Sequence, residues 1–315
     1  MNNANVSKLL HPYRYLPFCV KHPIRQAIDF AFPPPQSYRY WIKHSERPSY
    51  NPERIIQEVA TFHYKPKISI VMPVYNTPKG FLDSAIQSVR KQHYRNWELC
   101  ICDDASPDVR VRARLERWQR KDPLIKVEYS AKNEHISGAS NRALALASGE
   151  FVGLLDHDDA ITPDALYEVV KLLQQHPDAD MIYSDEDKLD RKGRRTDPFF
   201  KPDWFPEYLL ESMYTLHFGV YRKNLMDQIG GFRKGFEGSQ DYDLVLRLTE
   251  RTSRVHHIHR ILYHWRMAPG SCAINGKPYA PVAAKKAIAE HLERLNISGQ
   301  VLDGDRPGYY KVMRY

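Results

Sequence analysis

Residues 151–159, FVGLLDHDD, form an apolar run that ends in three carboxylates within four positions. Carboxylates this close repel one another unless a cation lies among them, and Mg2+ or Mn2+ favours carboxylates that it shares with substrate phosphates. An acidic turn is the alternative, because Thr162 and Pro163 are typical of a helix N-cap and a first helical residue. The stretch alone therefore leaves two interpretations open, a cation site for a nucleotide diphosphate and a solvated turn.

Strands and helices alternate on the N-terminal side of this stretch, which predicts an α/β domain with a mostly parallel central sheet covered by helices. The predicted strands are 68–72, 98–102, 125–129 and 151–155, and the predicted helices are 79–92, 108–120 and 138–147. Ligands of such sheets bind beyond the carboxyl ends of the strands. We expect one cleft formed by the strand ends at 73–76, 103–104, 133 and 156–159.

The alternation weakens after a helix predicted at 163–175. The strand predicted at 181–183 is followed by a polar stretch, 184–206, that is too long for a simple connection. We expect this stretch to line a binding site or to fold over one. The further predicted elements are a strand near 216–221, helices at 222–229 and 240–251, and a strand near 258–265.

The composition is that of a soluble globular protein, with 42% hydrophobic and 27% charged residues among 315. No apolar run approaches the roughly twenty residues that span a bilayer, and the N-terminus has no signal-peptide pattern, so we expect a cytoplasmic protein. The net charge of +8 favours polyanionic partners. Because no nucleic-acid-binding motif accompanies this charge, phosphate-bearing substrates or an anionic membrane surface are the expected partners.

The four cysteines indicate a reducing compartment. Cys100 and Cys102 lie two apart in a predicted strand, on the same face of the sheet, and are expected to be small buried hydrophobes. Cys19 and Cys272 have no partners at zinc-ligand spacing.

Three segments follow from these patterns: an extension at 1–66, a main domain at 67–270 and a C-terminal helix and tail at 271–315. The extension is rich in prolines, aromatics and bases. It has two interpretations, a basic aromatic surface that rests on the inner face of the membrane and a strap packed along the main domain.

Four segments, ISIVMPVYNTP, SVRKQHYRNWELCICDDAS, SGASNRALALASGEFVGLLDHDD and GSQDYDLVLRLTE, resemble in order and spacing the inverting GT-A-fold glycosyltransferases of bacterial surface-polysaccharide synthesis. The resemblance covers about 68–266. YSDEDKLD and FKPDW resemble the branch with rhamnosyl and related transferases of O-antigen and capsule assembly. The resemblance implies a nucleotide-binding half at 67–160, an acceptor half at 161–270, and transfer of a sugar from a UDP- or dTDP-linked donor to a polysaccharide or lipid-linked acceptor.

The same resemblance implies roles for the strand-end residues. Pro73 and Tyr75 match positions that contact the nucleotide base, and Asp104 matches the acceptor of a hydrogen bond from a pyrimidine NH. Asp156 matches the residue that reaches the ribose and the metal, and Asp158 the residue that binds Mn2+ or Mg2+ directly. Asp159 is expected to support the following helix or to contact the sugar.

Asp241 matches the family's catalytic base, which accepts the proton of the acceptor hydroxyl. It lies in the first turn of a predicted helix, whose dipole should keep it ionised and reduce its basicity. A structural role at the helix start is the alternative, and Asp243 is a close structural twin. Gln240 stands where the family commonly has Glu, which puts a role for that charge in doubt.

A histidine often completes the family's metal site, and His264 is the predicted ligand in preference to His256, His257 and His259. The residues predicted to line the donor or acceptor pocket are Asp185, Lys201, Trp265 and Arg266. Ser140 stands where many family members have an arginine that holds the base or diphosphate. The candidates for the missing charge are Lys132, Arg142, Lys188 and Lys201.

Two other classes of protein compete with a transferase. A sugar-nucleotide pyrophosphorylase would need a glycine-rich phosphate loop after the first strand, and MPVYNTPKG lacks one. A non-catalytic module that binds sugar nucleotide within a larger assembly is favoured slightly by Ser140, whereas the complete set of acidic residues favours catalysis.

Overall fold

The computed structural model of this protein describes residues 34–267 and 278–315, so Cys19 and Cys272 lie outside the described residues. The helices are α1 Pro34–Trp41, a π-helix Ile42–Glu46, α2 Arg47–Ser49, α3 Pro52–Thr61, α4 Lys79–Arg90, α5 Val109–Lys121, α6 His135–Ala145, α7 Ala165–Gln175, α8 Pro206–Glu211, α9 Lys223–Gln228, α10 Gln240–Thr249 and α11 Ala280–Arg294. The strands are β1 Ile68–Val74, β2 Trp97–Asp103, β3 Ile125–Tyr129, β4 Phe151–Leu154, β5 Ala160–Ile161, β6 Met181–Leu189, β7 Arg195–Phe199, β8 Val220–Arg222, β9 Val255–Arg266, β10 Gly299–Asp303 and β11 Tyr310–Arg314.

The described strands form one nine-stranded sheet and a separate β10–β11 hairpin. The sheet has the order β3-β2-β1-β4-β8-β6-β9-β5, with β7 beside β6. β3, β2, β1 and β4 are parallel, β8 is antiparallel to both of its neighbours, and β6 and β9 are again parallel to each other. The mostly parallel sheet predicted from the alternation is therefore confirmed.

Two hydrophobic cores lie on the two faces of this sheet, because successive strand residues point to opposite faces. In β1, Ile70 and Met72 pack in a core with α4 and α7, whereas Val71 packs in a core with α6 and with Cys100 and Cys102. Burial raises the pKa of the Cys100 thiol to about 12, and both cysteines are free. Both therefore serve as small buried hydrophobes, as expected.

The stretch 184–206, which was expected to line a binding site or to fold over one, is about half β-structure. β6 continues through it to Leu189, and β7 pairs back on β6. The acidic residues of β6 are buried because each one contacts a basic partner elsewhere in the fold: Asp185 with His257, Glu186 with Lys201, and Asp187 with Arg195 and His264. Ion pairing therefore allows a polar sequence to form an interior strand.

The assignment of Thr162 as a helix N-cap was also wrong. α7 begins at Ala165, and its N-cap residue is Asp164. Only the carbonyl of Thr162 contributes, accepting a hydrogen bond of 3.0 Å from the Ala165 N–H. α7 therefore begins two residues later than predicted.

Of the predicted extension 1–66, residues 1–33 lie outside the described residues, and residues 34–66 pack along the main domain, as the strap interpretation predicts. Ile55 of α3 and Phe62 belong to the first core, and the Tyr38 hydroxyl donates a 2.5 Å hydrogen bond to Asp187 of β6. At the other end of the chain, α11 packs on α10 through Ala284 and Ile288. The predicted segment limits at 66/67 and 270/271 stay predictions. No helix among the described residues has both the length and the apolarity to cross a bilayer.

Candidate active site

The carboxyl ends of three neighbouring parallel strands bring the predicted nucleotide-binding residues to one edge of the sheet. Tyr75 follows β1 directly, Asp104 follows β2 directly, and Asp156 follows β4 by one residue. β1 lies between β2 and β4 in the sheet. The strand order thus brings these strand ends together, as the sequence predicted, and the space beyond them is called the cleft.

Asp104 is buried at this edge of the sheet, with 2% of its surface exposed. Its carboxylate accepts a 2.8 Å hydrogen bond from the Glu134 N–H, and burial raises its pKa. Pro73 is partly buried in β1, and the Tyr75 side chain is 48% exposed. A buried carboxylate beside an exposed ring has the chemistry to read a donor on a base and to cover the base's face.

The acidic stretch divides into one enclosed carboxylate and two accessible ones. Asp159 is fully buried and accepts hydrogen bonds from the Tyr263 hydroxyl, at 2.6 Å, and from the Arg266 N–H, at 2.7 Å. Burial raises its pKa well above the usual value. Asp156 and Asp158 are partly exposed, and burial also raises the pKa of Asp158. Asp159 therefore joins the cluster to β9. The sequence had suggested support of the following helix as one of its two roles, but its carboxylate binds β9 instead.

His217 completes this cluster, although no sequence motif had singled it out. One ring nitrogen of His217 and carboxylate oxygens of Asp156 and Asp159 all lie within 4.8 Å of one another. The ring stacks on Tyr263 with 4.4 Å between centroids and contacts Trp265 edge-on at 6.1 Å. Because β8 runs antiparallel to β4, the segment before β8 lies beside the end of β4. Only this pairing, which the sequence does not display, could have identified His217.

A buried ion pair holds the backbone of His217 in place. The Lys201 side chain is fully enclosed, and its ammonium donates to Glu186 at 3.0 Å, to the Thr215 carbonyl at 2.8 Å and to the His217 carbonyl. The Glu186 carboxylate in turn accepts a 3.1 Å hydrogen bond from the His217 N–H. Both backbone polar groups of His217 are thus bound by one ion pair.

Asp241, the predicted base, is a neighbour of this cluster. It lies in the first turn of α10, is partly exposed, and accepts a 2.8 Å hydrogen bond from the Tyr242 N–H. Its pKa is raised, mainly by burial and further by Asp156, while His217 acts in the opposite direction. Burial therefore outweighs the backbone hydrogen bonds at the helix start, which lower the pKa of Asp241. Since the charges of Asp156 and His217 both act on Asp241, these three side chains lie close enough to interact electrostatically.

Asp243, the twin of Asp241, has a structural role. It is fully buried, and its carboxylate accepts hydrogen bonds from the guanidinium groups of Arg233 and Arg247. Arg247 also donates to the carbonyls of Ile229 and Gly231. This network anchors α10 and so fixes the helix that carries Asp241.

The structure does not bring His264 to the acidic cluster. Side chains alternate along β9, and Tyr263 and Trp265 point toward His217, so His264 points to the opposite face. There its Nδ1 lies 2.5 Å from an Asp187 oxygen, and Asp187 is also bound by Arg195. This pairing explains the position of His264 without a metal ion.

The four residues predicted to line the pocket fall into two pairs. Trp265 and Arg266 border the cleft, and the Arg266 guanidinium donates a 2.7 Å hydrogen bond to the Asp158 carbonyl. Asp185 and Lys201 instead lie in the interior, where the Asp185 carboxylate accepts from the Lys201 N–H at 2.8 Å. Asp185 and Lys201 therefore lie behind the residues that border the cleft.

Ser140 is buried in α6 and brings no charge to the cleft. Of the four proposed substitutes, three form ion pairs, Arg142 with Glu128 and Glu134, Lys188 with Asp197, and Lys201 with Glu186. Lys132 is exposed and follows β3 at the same edge of the sheet, and within the described residues it has no ion pair. Of the four candidates, it is therefore the one whose charge has no ion-pair partner within the described residues.

The donor set in the cleft fits a divalent cation. Asp156 and Asp159 offer oxygens and His217 a nitrogen within 4.8 Å of one another, and the second accessible carboxylate, Asp158, is close enough to Asp156 for the two to interact. Mn2+ accepts such a mixed set, and Mg2+ prefers its oxygens. Burial is the main cause of the raised pKa of Asp158, and the neighbouring charge of Asp156 adds to it.

Comparison with known proteins gives a family and a fold. Solved structures with related architecture include Staphylococcus aureus TarS 1–349 in complex with UDP-GlcNAc, with a TM-score of 0.60 and 20% identity over 72% of this chain and 66% of that one. Another is the mannosyltransferase PcManGT from Pyrobaculum calidifontis with GDP-Man and Mn2+, with a TM-score of 0.55 and 17% identity over 81% and 73%. At this identity the likeness establishes the fold, and the predicted GT-A type is confirmed.

Two relatives by sequence are much longer proteins. The chain is 46% identical over 245 residues to the uncharacterized protein y4gI of Sinorhizobium fredii, covering 76% of this chain and 27% of that protein. It is 38% identical over 258 residues to the O-antigen biosynthesis protein RfbC of Myxococcus xanthus, covering 81% and 20%. The chain thus spans about a quarter or less of these relatives. The family model described as "Glycosyl transferase family 2" matches residues 69–230, half of the sequence, and the chain therefore belongs to glycosyl transferase family 2.

Proposed function

We propose that this chain transfers a sugar from a nucleotide-diphosphate donor, UDP- or dTDP-linked, to a polysaccharide or lipid-linked acceptor in cell-surface glycan synthesis, with inversion at the anomeric carbon. The observation that carries the proposal is the proximity of Asp241 to Asp156 and His217, two members of the candidate metal cluster. The O-antigen name of the Myxococcus relative supports the class of acceptor.

In this proposal the sheet edge binds the nucleotide. Asp104 accepts a hydrogen bond from the base, Pro73 and Tyr75 cover it, and Asp156 contacts the ribose. A divalent ion, Mn2+ or Mg2+, held by Asp158 together with the group of Asp156, Asp159 and His217, would neutralise charge on the departing diphosphate.

Asp241 is the proposed base. Its carboxylate takes the proton of the acceptor hydroxyl as the oxygen attacks the anomeric carbon, and the bond from that carbon to the diphosphate oxygen breaks on the opposite side, which inverts the configuration. Burial supports this role, because a carboxylate with a raised pKa is a better base while it remains ionised near neutral pH. A base of this kind contributes typically 10²–10⁴-fold to a rate.

The competing function is a module that binds sugar nucleotide without turning it over. A thermal-shift screen of nucleotide sugars with Mn2+ would identify the donor, since a ligand of the folded state raises the melting temperature by mass action. Slow hydrolysis of that donor without acceptor is then expected of a transferase. Binding without any hydrolysis or transfer would favour the non-catalytic module.

The proposed acceptor places the enzyme in the cytoplasm with peripheral contact at the inner membrane face. The excess of basic residues supports attraction to anionic lipid. Co-sedimentation with vesicles that contain anionic lipid, compared with neutral vesicles, tests this contact. Equal binding to both would contradict it.

A further inference from the structure

A second cluster of metal-ligand side chains lies outside the cleft, where β9 meets the loop before α8. It consists of Asp203, His257 and His259, whose ligand atoms all lie within 4.8 Å of one another. His257 and His259 are two apart in β9 and so share one face of the strand. The proposed transfer reaction uses none of these three side chains.

A carboxylate oxygen faces each ring nitrogen of His257, which favours a positive charge on or beside the ring. Its side chain is 1% exposed, its Nε2 lies 2.8 Å from an Asp185 oxygen, and its Nδ1 lies 3.2 Å from an Asp203 oxygen. A neutral imidazole has one N–H, so it can donate to only one of these carboxylates. The other nitrogen would direct its lone pair at a negative oxygen unless a second proton or a metal ion lies between them.

The position of His259 favours a metal ion over a second proton as the source of this charge. Its Nε2 lies 2.6 Å from the same Asp203 oxygen that faces His257. A protonated His257 would need no second histidine at this oxygen, whereas a metal ion needs several donors. Ligands about 2.0–2.2 Å from a tetrahedral Zn2+ are roughly 3.3–3.6 Å apart. The His257 nitrogen and the Asp203 oxygen, 3.2 Å apart, are close to this spacing, whereas the 2.6 Å contact of His259 is a hydrogen-bond distance that must lengthen when an ion binds.

We propose that Asp203, His257 and His259 bind a Zn2+-class divalent ion, with water in the fourth position. Two imidazoles and one carboxylate suit Zn2+ or Co2+ better than Mg2+. The contact from Asp185 to the far nitrogen of His257 is the outer-shell arrangement that orients metal-binding histidines. Tyr183 stacks on the His257 ring at 4.7 Å and fixes its plane.

The ion links the loop at residue 203 to β9, close to the Lys201–Glu186 ion pair that holds the backbone of His217. Lys201 precedes Asp203 by two residues, and its N–H donates to the same Asp185 that orients His257. The site is therefore a structural cross-link behind the cleft wall, and its occupancy can be measured by binding and stability alone.

The experiment is titration of the full chain with Co2+, followed by absorption, and with Zn2+, followed by thermal melting. Both are done in an Asp156→Asn background that weakens the cleft site. The variants are His259→Gln and Asp203→Asn, because these side chains are 34% and 53% exposed and their exchange spares the interior. The control is His256→Gln, on the same strand but stacked on His176.

We expect one equivalent of Co2+ to bind in the background and in the control, and each of the two variants to weaken binding by about 100-fold or more. Zn2+ should raise the melting temperature of the control and not that of either variant. Failure to bind one equivalent, or unchanged affinity in either variant, would overturn the proposal and leave a protonated His257 as the source of the charge.

Discussion

Replacement of Lys201 by methionine tests the buried pair behind His217. Lys201 has no exposed side-chain surface and donates to Glu186 and to two carbonyls, of Thr215 and His217. Lys201→Met keeps most of the volume but leaves the Glu186 carboxylate buried without its partner. Breaking a buried ion pair in this way costs about 3–5 kcal/mol, so we expect the free energy of unfolding to fall by that amount.

The assay is urea unfolding at pH 7, with Lys188→Met as the matched control. Lys188 pairs with Asp197, whose side chain is 63% exposed, and exposed pairs contribute about 0.2–1 kcal/mol. The double variant Glu186→Gln with Lys201→Met should be more stable than Lys201→Met alone, because it removes the unpaired charge. A loss below about 1 kcal/mol for Lys201→Met, or equal losses for Lys201 and Lys188, would refute the reasoning.

Three further predictions concern the metal, the histidine and acid stability. Asp158→Ala should abolish the Mn2+-dependent part of nucleotide affinity, and an unchanged calorimetric titration would remove Asp158 from the metal site. His217→Gln should weaken Mn2+ binding in the presence of UDP by about tenfold or more, and equal affinity would contradict its role as a ligand. Burial alone would raise the pKa of Glu98, but hydrogen bonds from Lys126 and Ser69 lower it to about 2 from the usual 4.5. Glu98 therefore stabilises the fold fully above pH 4.5 and loses this effect as the pH falls toward 2, so Glu98→Gln should cost about 1–3 kcal/mol at pH 7 and less at pH 3 in urea unfolding.

The first four strands were predictable because their signals are local. Each apolar run, such as 68–72, is bounded by turn residues and followed by a helix with one apolar face, and parallel pairing then places the strand ends together. The carboxylates at 156 and 158 could be assigned to the cleft for the same reason.

β6 was only partly predictable because its second half is acidic. Asp185, Glu186 and Asp187 suit a strand interior only once Lys201, Arg195 and two histidines of β9 are packed beside them, and no local pattern links these positions. His217 was missed for a related reason, since the antiparallel pairing of β8 with β4 brings it to the cleft. The position of His264 likewise depends on which face of β9 each residue occupies, which sequence spacing alone did not decide.

The central claim is that Asp241 acts as the base beside the metal-binding cluster, and the most direct test measures transfer and UDP binding together for Asp241→Asn. Asparagine keeps the size of the side chain but cannot accept the proton, so we expect transfer to fall by about 10²–10⁴-fold. The UDP dissociation constant with Mn2+ should stay within about threefold, because Asp104 and the acidic cluster remain. The exposed variant Asp227→Asn is the control and should transfer normally. Transfer by Asp241→Asn at the wild-type rate, with UDP binding intact, would contradict the account.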